Sequence, residues 1–318
     1  MKTLLKLIAV LVLAAGVAVW VASSDDVLSA APARSPAAGS GLPEGVGDPA
    51  WRLDPVWDDG KAELCVYDVE WPRYGEPRRG SAMLVLVKEP WAPDLDVKAD
   101  RPRADGFEVL KLNHVRDVRT GIYEYHQMAS VYLDRRDGSL VKLATTSSEA
   151  CGITTAEAVD GRLSTRSYFD GQGDRTGPWP GGLPEDGLPA SLRELVRGEL
   201  PERVEVFPSL LAPRLPPLEP ASFRVSRRPA GEVAVPAGRF PGVEIGLTAE
   251  PAEGAAEDGG TAGGGRELRY VFAADPPHRL LAFTAADGTS YRLAKCERLA
   301  YWRLNRPGDE EWLPAGLR

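Results

Sequence analysis

Phe107-Glu108-Val109-Leu110-Lys111-Leu112-Asn113-His114-Val115 decides the fold of this chain. Side chains of a β-strand point alternately to its two faces. Here Phe107, Val109, Lys111 and Asn113 fall on one face, and Glu108, Leu110, Leu112 and His114 on the other. An amphipathic helix would instead repeat its apolar residues every three or four positions. Residues 81–88 hold Met83-Leu84-Val85-Leu86-Val87, a run that predicts a strand buried on both faces.

Working outward, the same kind of short β-branched and aromatic run recurs at 62–69, 122–133, 140–146 and 163–169. A second set follows at 222–227, 232–235, 243–247, 267–273, 280–285 and 289–304. The last is too long for one regular strand, and its alternation shifts near 295–297, which predicts a bulge. Asp137-Gly138, Asp160-Gly161 and Asp287-Gly288 are hairpin turns, where glycine takes positive φ at little cost. The bulky set Tyr291, Leu293, Leu299, Tyr301 and Trp302 predicts a long closing strand within the main sheet, with Tyr301 and Trp302 on opposite faces.

One segment reads as helix. Leu188, Leu192, Leu195 and Val196 share a face, Pro189 suits a first turn, and Pro201 ends it. Residues 207–220 contain five prolines and predict an extended, irregular connection. The expected fold class is therefore mainly β: a curled antiparallel sheet, half-barrel or barrel-like, with one short helix. Curling is how such a sheet hides its edges.

Lys2 and Lys6 sit around the start of an apolar run reaching Ala22. This predicts a signal peptide or N-terminal membrane anchor over residues 1–22. Residues 23–50 are rich in Ala, Ser, Pro and Gly and predict a disordered linker. Residues 51–318 are expected to form a single β-rich domain, with a disordered insertion at 249–265 composed of Ala, Gly, Glu and Asp. The net charge of −8 argues against nucleic-acid binding, which needs clustered cations. The three cysteines, Cys65, Cys151 and Cys296, show no CxxC spacing, and a core of this size is not expected to depend on a disulfide.

Two groups of motifs carry a resemblance. The first is Gly60-Lys61-Ala62-Glu63, Arg73-Tyr74-Gly75-Glu76 and the stretch from Lys142 to Gly152; the second is Val235-Pro236-Ala237-Gly238-Arg239-Phe240, Arg269-Tyr270-Val271-Phe272 and Glu297-Arg298-Leu299-Ala300-Tyr301-Trp302. They resemble a family of uncharacterised exported bacterial proteins and the closing half of curved-sheet periplasmic proteins of unknown function. The fold so implied looks like that of lipoprotein-localisation carriers, a curled sheet around a hydrophobic groove. The resemblance brings no activity and no catalytic residues. Such chains are also labelled septum formation inhibitors after the Maf nucleotide pyrophosphatases. Those are cytoplasmic α/β enzymes, however, and no Gly-rich phosphate loop opens a helix here.

The candidate chemistry is sparse. Cys151 lies among small polar residues and would act as a nucleophile if an imidazole stood beside it. Glu124 and His126 share a strand face and make a candidate acid–base pair. Trp57, Tyr67, Tyr74 and Trp302 are the candidate ligand-binding aromatics, with Trp51 and Trp71 in the same group. Three scattered histidines give no metal-ligand spacing, so no metal is expected, and no motif calls for a cofactor. Two functional readings follow. One is a non-enzymatic protein of the cell envelope, periplasmic or anchored to the inner membrane facing the periplasm. Its partner would be an apolar ligand or an envelope protein, its membrane contact would run only through residues 1–22, and no nucleic acid is involved. The alternative is a cysteine- or histidine-dependent hydrolase using Cys151 with His126 or His114.

Overall fold

The computed structural model describes residues 41–251 and 266–314. The expected signal or anchor, most of the expected linker and nearly all of the expected insertion lie outside the described residues. Among the described residues no helix is long and apolar enough to cross a membrane.

Sixteen strands form one sheet. In chain order they begin with β1 (Ala62–Arg73), β2 (Glu76–Ala92), the short β3 (Val97–Lys98), β4 (Phe107–Thr120), β5 (Tyr123–Asp134), β6 (Leu140–Glu149) and β7 (Gly152–Val159). Then come β8 (Arg162–Arg166), β9 (Arg175–Pro178), β10 (Leu183–Pro184), β11 (Arg203–Phe207), β12 (Ala221–Val235), β13 (Gly238–Ala249), β14 (Glu267–Ala273), β15 (Leu280–Ala285) and β16 (Ser290–Leu299). The lateral order runs from β10 through β16 to β1, then through β2, β4 and β5 to β9, with β3 alongside β2.

Every neighbouring pair is antiparallel except β10 with β11. The two edge strands, β9 and β10, are consecutive in the chain and are linked by residues 179–182. That link spans at most roughly 17 Å, so the sheet curls until its edges approach, without a ladder joining them. The expected mainly β, curled antiparallel architecture is the one observed.

The alternation read at residues 107–115 holds along β4. Leu110, Leu112, His114 and Val118 are buried inside the curl, while Val109 packs outside with Trp91 and Val141. The run at 83–87 is covered on both sides: Leu84 and Leu86 face the main core, and Val85 and Val87 lie under Tyr301 and Trp312 on the outer face.

The inside of the curl is filled by two segments. The expected helix is a four-residue α-helix, α2 (Leu188–Ser191), continued by a 3-10 turn at Leu192–Val196; a second short helix, α1 (Ala50–Leu53), precedes β1. Leu188, Leu192 and Leu195 are fully buried. Behind them runs the proline-rich segment 207–217. Buried backbone must find hydrogen-bond partners, and the inward faces of the strands and the turn between β8 and β9 supply them. Arg116 Nη2 and Gln127 Nε2 both donate to Leu211 O, at 3.0 and 2.8 Å. Thr154 Oγ1 donates to Pro213 O at 2.6 Å, and Gln172 Nε2 to Leu215 O at 2.7 Å. The connection is thus an internal strap, not a surface loop.

Four sequence expectations are corrected. Packing starts before Trp51: Leu42 and Val46 rest on the core, Gly47 N donates to Glu199 O and Asp48 N to Glu194 O, so backbone pairing orders the end of the expected linker. The two short strands expected at 222–227 and 232–235 are one strand, β12, which absorbs Pro229 at a register shift. β16 ends at Leu299, and Tyr301 and Trp302 turn away in a 3-10 turn over the outer face instead of extending it. Its irregularity falls opposite Val66 and Tyr67, which pair with Lys295 and Leu293, leaving Ala294 as the extra residue.

The last correction is the disulfide. Cys65 and Cys296 are register partners on β1 and β16 and are bonded to each other. Spacing in the sequence could not show this, because 231 positions separate them.

Candidate functional site

Hairpin register fixes which end of the sheet carries what. The β1–β2, β4–β5, β6–β7 and β15–β16 turns, the end of β13 and the start of β14 all fall at one end. Toward that end lies a cavity of about 610 Å³ between the sheet and the strap. Ligand sites are commonly concave and mostly apolar, with a few placed polar groups, at about 300–1,000 Å³.

One wall is apolar and aromatic. β14, β15 and β16 contribute Leu268 and Tyr270, Leu280 and Phe283, and Tyr291. Tyr270 and Phe283 lie 4.7 Å apart by ring centroids, and Phe283 meets Tyr291 edge-on at 5.5 Å. Strap residues Pro208, Leu211 and Pro216 close the opposite side.

Of the polar groups that line the cavity, His114, Arg116 and Asp186 are buried, while Arg214, Arg266 and Asp287 are exposed. Arg116, on β4, donates from Nε to Gln127 Oε1 at 2.8 Å and stacks over Trp71 with 4.7 Å to the ring centroid. His114 Nε2 lies 3.0 Å from Tyr291 Oη. Burial, and then the positive charge of Arg116, push the His114 imidazole down to about 3, so it is neutral at physiological pH. Asp186, between β10 and α2, accepts from Ser209 Oγ at 2.5 Å and from Leu210 N at 2.9 Å. Burial pushes its carboxyl up to about 6. Glu185 is ion-paired with Arg266, yet burial still holds its carboxyl above the usual range.

The residues singled out in the sequence lie elsewhere, except His114 and Trp71. Cys151 is exposed in the β6–β7 turn. Its neighbour is the Glu149 carboxylate, which raises its thiol pKa and so works against thiolate formation. Each imidazole has another partner: His114 has Tyr291, His126 Nδ1 has Asp117 Oδ1 at 2.5 Å, and His278 Nδ1 has Ala273 O at 3.0 Å. Glu124 and His126 do share a face of β5, the exposed one, with Arg119 rather than a cleft beside Glu124.

Trp57 is buried and donates to Trp51 O, and Tyr67 is buried and donates to Leu280 O. Tyr74 and Trp302 are exposed. None of these four lines the cavity. Glu63, Cys65 and Cys296 bring potential metal-ligand atoms within 4.8 Å of one another, but the disulfide uses both sulfurs and Glu63 binds Arg193.

Sequence reading missed Arg116, Glu185, Asp186 and Arg266. For Arg116 a signal existed. It continues the inward series Leu110, Leu112, His114 by one more alternation, and a charged residue on an otherwise apolar face marks a buried polar site.

No protein-family model matches the sequence, and no curated protein matches it. Among solved structures, the chain is similar to a β-barrel-like protein of a domain of unknown function, DUF1849, from Brucella abortus. The match has 10% sequence identity and a TM-score of 0.44, covering 74% of this chain and 97% of that one.

Proposed function

We propose that this is an exported, non-enzymatic protein of the cell envelope that holds one small, mainly apolar molecule inside its curled sheet. The observation that carries the reading is the cavity itself, about 610 Å³, walled by Leu268, Tyr270, Leu280, Phe283 and Tyr291. A space of that size and lining gains by exchanging water for an apolar ligand. Export is supported by Lys2 and Lys6 at the apolar run of residues 7–22, and by a disulfide that suits an oxidising compartment. In holding a ligand within a curled sheet, the protein would resemble the lipoprotein-localisation carriers in manner of work. The cysteine hydrolase reading has no comparable support, because Cys151 faces Glu149 instead of an imidazole.

The test is organic extraction and mass spectrometry of the protein purified from its native envelope. A stoichiometric apolar molecule, lost from a variant whose cavity is filled by Ala285→Trp, is the expected result. Recovery of ligand-free protein that also rejects added apolar compounds would overturn the reading.

A further inference from the structure

Arg116 is 8% exposed and lines the cavity. Among the described residues no carboxylate lies within ion-pair distance of it; its close partners are the neutral Gln127 Oε1 and Leu211 O. Buried charges are ordinarily paired, because removing them from water is costly. Its Nη1 edge, with two N–H groups, has only Tyr291 Oη at 3.4 Å, beyond the usual hydrogen-bond range.

Beside it, the neutral His114 and Tyr291 leave one further donor. If the imidazole proton is on Nε2, it is given to Tyr291 and the phenol proton is free. If it is on Nδ1, the phenol donates to Nε2, and Nδ1–H, buried without a protein partner, is free.

The other charges of the cavity make no matching demand. Glu185 is paired with Arg266, and Arg214 is exposed and stacked on Phe169. Asp287 accepts from Thr289 N in its turn. Asp186 already has a donor on each oxygen, Ser209 Oγ and Leu210 N, and stands beyond ion-pair distance of Arg116, whose charge acts on it only across space.

Building on the ligand-binding reading, we infer that the ligand is an anionic single-chain amphiphile. Its acid group, a carboxylate or a phosphate, is received by the Nη1 edge of Arg116 and the spare donor of the His114–Tyr291 pair. Its apolar chain lies along Leu268, Tyr270, Leu280 and Phe283.

Calorimetric titration of the full-length chain tests this with four twelve-carbon compounds: laurate, dodecyl phosphate, dodecanol and dodecyltrimethylammonium. At least one acid should bind about tenfold or more tightly than dodecanol, as charged hydrogen bonds warrant, and the better acid tells a fatty-acid head from a phosphate head. Arg116→Gln should bring that acid to the level at which the same variant binds dodecanol. Because Arg116 also fastens the strap, Tyr291→Phe is the second variant; it keeps those bonds and should narrow the preference for the acid over dodecanol by a smaller factor. Equal binding of acid and alcohol, or preference for the ammonium, would overturn the inference while the apolar cavity reading stands. Rejection of all four compounds would overturn both.

Discussion

Cys65 on β1 and Cys296 on β16 are register partners joined by a disulfide, which ties the first strand of the sheet to the last. β16 already pairs with β1 along most of its length, so the bond reinforces the seam where the first and last strands meet. A cross-link enclosing 231 positions restricts the unfolded chain strongly, and the entropic model gives a stabilisation of about 5 kcal/mol. Replacing Cys296 with Ser should lower Tm by roughly 10 °C at this size. Reduction of the native protein should have a similar effect, and reduction of the Cys296→Ser variant none. Calorimetry with and without dithiothreitol checks it; a reduction-insensitive Tm in the native protein would show that the seam holds without the bond.

A second link crosses from the sheet to the filling of the curl. Arg193, after α2, donates from Nη2 to Glu63 Oε1 at 2.6 Å, and from Nη1 to Pro277 O at 3.0 Å; both side chains of the ion pair are almost wholly buried. Breaking one side strands a buried charge and costs roughly 3–5 kcal/mol. Arg193→Met should therefore destabilise the protein strongly in urea denaturation. The double variant Arg193→Met with Glu63→Leu should recover much of the loss. A double variant as unstable as the single one would mean that packing, not charge, is what Arg193 supplies.

At the β6–β7 turn, the negative charge of Glu149 raises the pKa of the exposed Cys151 thiol. A raised thiol pKa means less thiolate at neutral pH and slower alkylation. Glu149→Gln removes that charge, so iodoacetamide labelling of Cys151 should speed up at pH 7. The pH–rate profile should also shift to lower pH. Cys151→Ser should leave thermal stability within about 0.5 kcal/mol, as for exposed sites generally. An unshifted profile in Glu149→Gln would show that the carboxylate does not control the thiol.

The strands legible in the sequence were those whose alternation is written in large residues. Leu110, Leu112 and His114 told which way β4 faces, and residues 83–87 told that β2 is covered twice. β7 was not legible, because its inward positions are Thr154, Ala156 and Ala158. Thr154 is buried because it bonds the strap at Pro213 O, a partner that local pattern does not reveal. The prolines of 207–220 announced irregular backbone but not that it runs inside the curl. The disulfide and the cavity depend on which distant strands become neighbours, and only the long-range pairing of β16 with β1 and the curl of the sheet decide that.

Asp186 gives the fold a pH dependence of definite sign. Its carboxyl has an ordinary value of 3.8 and is pushed up to about 6 by burial, against the hydrogen bonds from Ser209 and Leu210 that favour its charge. Between these two values the folded protein binds more protons at this site than the unfolded chain. Stability from this group therefore falls as pH rises from about 4 to about 6, and stays reduced above that. The difference corresponds to about 3 kcal/mol at neutral pH, at roughly 1.4 kcal/mol per unit. Asp186→Asn keeps an oxygen to accept from Leu210 N but carries no charge, so it lacks this term. Its stability relative to the native protein should rise steadily between pH 4 and pH 6 and then level off. Chemical denaturation of both proteins across pH 4–8 reads the difference directly, and the titrating groups remote from Asp186 cancel. A constant difference across that range would mean that Asp186 does not change its charge there.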